Sequence, residues 1–85
     1  MPLAIIEIQL RYQGFRFFFY SNEGTPREPV HVHVRSSERE ANFWLYPMVH
    51  LGSSDGFDAA MLRELAEVVE QNAALIEGAW NEHFG

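Results

Sequence analysis

The chain has 85 residues, 47 % apolar and 14 % aromatic, with a formal net charge of −6 and no cysteine. That length allows a single domain over residues 1–85 with one core, and the composition is too apolar for a disordered chain. The charge argues against broad electrostatic binding to nucleic acid or to an anionic membrane, no apolar run approaches the ~20 residues of a membrane span, and without cysteine there is neither a disulfide framework nor a thiolate metal site.

Residues 3–11 alternate, with Ala4, Ile6, Ile8 and Leu10 on one side and Ile5, Glu7, Gln9 and Arg11 on the other, which predicts a strand. The start of the chain lacks the basic region and long apolar core of a signal peptide, so the cytoplasm is the expected location. Tyr12-Gln13-Gly14 is a turn, and Phe-Arg-Phe-Phe-Phe-Tyr at 15–20 is dense in strand formers. Residues 21–29 have the composition of a loop. Pro-Val-His-Val-His-Val-Arg at 29–35 is a strict alternation, hence another strand; Ser36-Ser37-Glu38-Arg39 turns the chain, and residues 40–46 form a further strand stopped by Pro47. Gly52-Ser-Ser-Asp-Gly56 reads as a second loop. One long helix follows, capped by Asp58, with Leu62, Leu65, Val69, Ile76 and Trp80 at helical period; Asn72 interrupts that stripe and Gly78 weakens its end. The expectation is an α+β fold, with a small antiparallel sheet of three or four strands packed on one long C-terminal helix.

The alternation sorts the sheet into two faces. Phe15, Phe17, Phe19, Val30, Val32, Val34, Ala41, Phe43 and Leu45 share the face that meets the helix. The opposite face gathers Arg16, Phe18, Tyr20, His31, His33, Arg35, Glu40, Asn42, Trp44 and Tyr46. His31 and His33 stand about 7 Å apart on one strand, with Arg35 next in line. One helix covers one face, so the aromatics of the other predict a homodimer or a partner surface. The N-terminal segment is an alternative cover for that face.

Three chemistries suit this face. A His-x-His pair on a strand is a metal half-site, making His31 and His33 candidate ligands, with Glu40 and His50 the nearest third ligands; plain polar or interface histidines are the alternative, and no cofactor is implied. The two histidines could instead serve as general acid and base, with Arg35 or Arg16 holding a phosphate, as in metal-independent ribonucleases; the enzyme reading is then a small nuclease or phosphoester hydrolase, with or without a metal, and His31, His33 and Arg35 are its catalytic candidates. Base stacking on Phe18, Tyr20, Trp44 and Tyr46 is a third, which the acidic charge disfavours. Asn22, in the loop after the Phe-rich strand, is a candidate neighbour of the His pair, although ordinary turn chemistry explains it as well.

Five words of this chain together resemble domain-of-unknown-function family 4160, a family of small prokaryotic proteins: Phe-Arg-Phe-Phe-Phe-Tyr-Ser-Asn-Glu-Gly (15–24), Glu-Pro-Val-His-Val-His-Val (28–34), Ala-Asn-Phe-Trp-Leu (41–45), Gly-Phe (56–57) and Ala-Trp-Asn-Glu-His-Phe (79–84). The chain departs from the family's usual second Pro at Val30, Asp at Tyr46 and Tyr at His83. The resemblance implies a small cytoplasmic protein encoded beside another short protein, in a two-gene, toxin–antitoxin-like arrangement, with that neighbour as partner. It marks Asn22, His31, His33 and Trp44 as motif positions without assigning them roles. The expected binding surface is Arg16, Tyr20, Asn22, His31, His33, Arg35 and Trp44.

Overall fold

A computed structural model describes residues 3–85; Met1 and Pro2 lie outside the described residues. Five strands, β1 (Ile5–Glu7), β2 (Arg16–Tyr20), β3 (His31–Ser36), β4 (Arg39–Trp44) and β5 (His50–Asp55), form one antiparallel sheet in chain order. Two helices follow, α1 (Ala59–Gln71) and α2 (Ala73–Phe84). The architecture is α+β, with five strands rather than three or four and two helices rather than one.

Each departure has a local cause. β5 occupies the stretch read as a Gly/Ser loop. It is exposed along its whole length, so little side-chain burial marks it, and it exists because its backbone completes the ladder of β4. The helix breaks at Asn72, whose φ of −114° and ψ of 18° leave the helical region. Its side-chain Nδ2 donates to the Val68 carbonyl at 2.8 Å, the local competition that makes Asn a poor interior helix residue. The apolar stripe nevertheless crosses the break, from Leu65, Val68 and Val69 to Ile76 and Trp80. Asp58 does cap α1, accepting from the Met61 amide at 2.8 Å. The first strand is shorter than the alternation of 3–11, yet Ile8 and Leu10 remain buried. Gln13 and Gly14, both at positive φ (49° and 75°), turn the chain between bridged Tyr12 and Phe15 in the two-residue manner that suits strand twist.

The two faces are sorted as the alternation requires. Phe17, Phe19, Val32, Val34, Ala41 and Phe43 join the helix residues in one core. The register pairs Phe18 with His33, His33 with Asn42 and His31 with Trp44, which fixes the polar-aromatic side chains as neighbours on the other face.

Candidate functional site

That second face is not bare. Phe18 is 1 % exposed, and Tyr20 and Trp44 are half-buried; only Tyr46, beyond the strand, stays open. The cover comes from the face itself. His33 stacks on Phe18 with centroids 5.4 Å apart, Tyr20 meets its edge at 5.3 Å, and the Arg35 guanidinium lies 5.2 Å above its ring. Flat, partly polar side chains laid over a central Phe shield it without a second layer of helix. The cover argument for a dimer through this face therefore loses its premise.

At the centre stands a residue that the strand pattern does not reveal, Glu23. After β2 the chain makes one 3₁₀ turn, Ser21–Glu23. The Glu23 side chain folds back, and Oε1 accepts the Tyr20 amide at 2.8 Å. Oε2 then meets both imidazoles, at 2.7 Å from His31 Nε2 and 2.6 Å from His33 Nε2. All three residues are buried. The same turn sends Asn22 to the solvent, so the loop supplies the site with a carboxylate rather than an amide. A carboxylate three residues past a strand end is half of a capping box, and that spacing is the one signal in the sequence that marks Glu23.

The hydrogen positions follow from the acceptors. His31 Nδ1 faces the Pro29 carbonyl at 2.9 Å, and a carbonyl has no proton to give, so Nδ1 donates. Nε2 faces the Glu23 carboxylate, so the pair holds a proton there too. Burial opposes charge on Glu23, but hydrogen bonds from His31, His33 and the Tyr20 amide outweigh it and hold the carboxyl at about 2. Burial likewise opposes charge on His31, and the Glu23 contact reverses it, raising the imidazole above its ordinary value. Glu23 and His31 are thus a buried ion pair, with His33 as second donor to the same oxygen. The Glu28 carboxylate stands 3.8 Å from His31 Nε2.

The C-terminal helix holds this arrangement closed. Trp80 is 5.4 Å from His31, centroid to centroid, and packs on Phe19 and Phe84. Arg27, across the loop from Gly24, donates to the Phe84 carbonyl at 3.1 Å and to Asn81 Oδ1 at 3.3 Å. The Phe84 ring occupies the place a Cβ would take on Gly24, only 2.2 Å from its ideal position, so the loop closes on α2 because residue 24 has no side chain.

Both arginines of the face are engaged. Arg16 pairs with Glu7, and Arg35 donates from Nε to Glu40 at 3.0 Å and from its terminal amino group at 2.6 Å. Arg35 also reaches the Tyr20 hydroxyl at 3.3 Å. The expected phosphate holders are therefore neutralised by carboxylates. Beside His33 opens a groove of about 370 Å³ walled by Glu38, Glu40, Asn42, Ser53 and Asp55. Trp44 and Asn42 border Gly52 on the neighbouring strand. Of the expected third metal ligands, Glu40 is taken by Arg35, and His50 is exposed with its Nδ1 2.7 Å from the Met48 carbonyl. Among the described residues the one cluster with metal-ligand geometry is Glu23, His31 and His33. No helix among the described residues is long and apolar enough to cross a membrane.

A family model described as Domain of unknown function (DUF4160) matches residues 14–81. No curated protein and no solved structure matches the chain.

Proposed function

The chain belongs to the DUF4160 family, and from that membership and the site geometry we propose that it is a small cytoplasmic interaction module, one component of a two-gene, toxin–antitoxin-like pair. Its binding surface is the His/Arg/aromatic face. The observation that carries this reading is the groove beside His33, to which Glu38 and Asp55 bring negative charge while Glu40 is paired with Arg35, with half-buried Trp44 two positions along β4 from the lining Asn42. A concave acidic surface next to an aromatic anchor suits a partner segment bearing Arg or Lys around an apolar residue. The pairing of Arg16 and Arg35 within the chain favours binding over phosphate chemistry. Co-expression with the product of the adjacent gene tests it. The complex should survive purification, and Trp44→Ala or Glu38→Arg should weaken it by about tenfold or more. No complex with the wild-type chain overturns the pair; an undiminished complex with both variants moves the interface off this face.

The module also self-associates. β5 is a six-residue edge strand, exposed throughout and carrying neither Lys nor Pro to blunt it. Antiparallel pairing of two copies along β5 sets His50 of each opposite Asp55 of the other, which makes a homodimer through this edge self-complementary in charge.

A second reading, a small nuclease or phosphoester hydrolase, is favoured by one detail. Glu23 holds His33 through Nε2, and His33 Nδ1 has no hydrogen-bond partner among the described residues, while the ring borders the groove. A carboxylate-oriented imidazole is how a general base is built. Incubation with RNA decides it: cleavage that disappears in the His31→Ala/His33→Ala double variant supports this reading, and no cleavage by the wild type, with or without added metal, ends it.

A further inference from the structure

We propose that Glu23, His31 and His33 bind one divalent transition-metal ion, with Zn²⁺ the best match to two imidazole nitrogens and one carboxylate oxygen. The three ligand atoms lie within 4.8 Å of one another, on residues that are all buried. Such convergence is the first requirement of a site, and the two-imidazole, one-carboxylate set is that of a zinc centre with an open position.

The second requirement is that other groups orient the ligands. His31 Nδ1 donates to the Pro29 carbonyl at 2.9 Å, which leaves Nε2 as the nitrogen aimed at the cluster. The Tyr20 amide holds Glu23 Oε1 at 2.8 Å, which leaves Oε2 as the ligand. Both are the outer contacts that metal-ligating imidazoles and carboxylates make. Trp44 and Trp80 flank the His31 ring at 4.5 and 5.4 Å and give the site an apolar wall. Glu28, half-exposed and 3.8 Å from His31 Nε2, lies beside the cluster and not within it.

Ligand atoms about 2.1 Å from a tetrahedral ion stand about 3.4 Å apart. Glu23 Oε2 now lies 2.7 and 2.6 Å from the two nitrogens, close enough to share protons with them. Metal entry therefore exchanges protons for the ion. His31 gives its Nε2 proton to the solvent, His33 carries its proton on Nδ1, and the carboxylate oxygen and the two imidazole nitrogens adjust to about 3.4 Å from one another. The oxidation state of the ion and every covalent bond of the chain are unchanged.

Titration of the chelator-stripped full chain with Co²⁺, followed by Zn²⁺, tests this. One Co²⁺ per chain should produce visible d–d absorption of low-symmetry coordination, and one equivalent of Zn²⁺ should abolish it. Glu23→Gln and His33→Gln should each weaken Zn²⁺ binding by on the order of 100-fold. His50→Ala and His83→Ala, both exposed and outside the cluster, should leave it unchanged. No absorption band and no Zn²⁺ heat with the wild type overturn the site, as does binding that follows His50 or His83. If the cluster variants fail to fold, imidazole ¹⁵N shifts of the wild type decide: His31 and His33 Nε2 must move on Zn²⁺ addition, and unmoved signals overturn the proposal.

Discussion

The side chain of Glu23 does most to distinguish this molecule from a generic sheet-and-helix domain. A buried carboxylate is costly unless it is paired, and here it takes donors from two imidazoles and a backbone amide. Removing that partner strands His31 and His33 in a dry site, so Glu23→Gln should lower stability by about 3 kcal/mol or more, read by urea unfolding of the metal-free chain. The ion pair also sets the pH dependence. The Glu23 carboxyl is depressed from 4.5 to about 2, so its contribution is complete above the ordinary value and lost as pH falls toward 2. His31 is raised from 6.5, so its contribution is complete below that value and lost as pH climbs through the folded one. Stability should therefore peak between the two ordinary values. Unfolding at about pH 3, 5.5 and 8.5 should give its highest midpoint at the middle pH, and Glu23→Gln should flatten the profile. A midpoint that rises steadily to alkaline pH would contradict the ion pair.

Among the elements, β5 and the helix break were the least legible. A strand of His-Leu-Gly-Ser-Ser-Asp has no alternation to announce it, because neither of its faces is buried. Its attachment to β4 is the backbone ladder, to which Asn42 adds a side-chain bond where the register shifts: Oδ1 accepts the Ser53 amide at 2.7 Å. Gly52 lets that happen: a Cβ there would stand 2.4 Å from Asn42 Oδ1 and 2.8 Å from Trp44 Nε1. Gly52→Ala should cost about 1–3 kcal/mol and speed hydrogen exchange at Ser53, while the amides of β3 keep their protection. At the other end of the chain, one Asn side chain bonding to its own backbone outweighs a continuous apolar stripe. That stripe survives because α2 still presents Ile76 and Trp80 to the same core.

Taken whole, the molecule is a meander closed by its own C-terminus. Trp80 joins the core at Phe19, the His31 edge of the site and Phe84. Trp80→Ala should cost about 3–5 kcal/mol. Against a total of about 5–15 kcal/mol for a domain, that removes a large share, and circular dichroism should show a much lower urea midpoint. Light scattering at micromolar concentration should report a dimer, and Asp55→Lys, which sets a cation opposite His50 of the second copy, should shift it to monomer. A wild-type chain that stays monomeric contradicts pairing along β5.

The sequence by itself determined the two faces of the sheet. Alternation at 15–20, 30–35 and 40–46 leaves no freedom about which side chains meet the helices, because a one-residue slip would exchange Phe17, Val32 and Phe43 for the polar-aromatic residues of the other face. It also determined the His31/His33 pairing, the Asp58 cap and the family, whose words lie along those strands. Only the tertiary structure decided what the histidines face. Glu23 sits eight and ten residues before them, in a loop with no periodicity. Its position depends on a 3₁₀ turn, on the Tyr20 amide, and on the contacts of Gly24 and Arg27 with α2, far along the chain. The neutralisation of Arg16 by Glu7 and of Arg35 by Glu40 is likewise a matter of register between strands. Period and propensity are properties of a segment and can be read from it; a buried carboxylate's partners are set by where the chain returns, and that is decided only when the whole core closes.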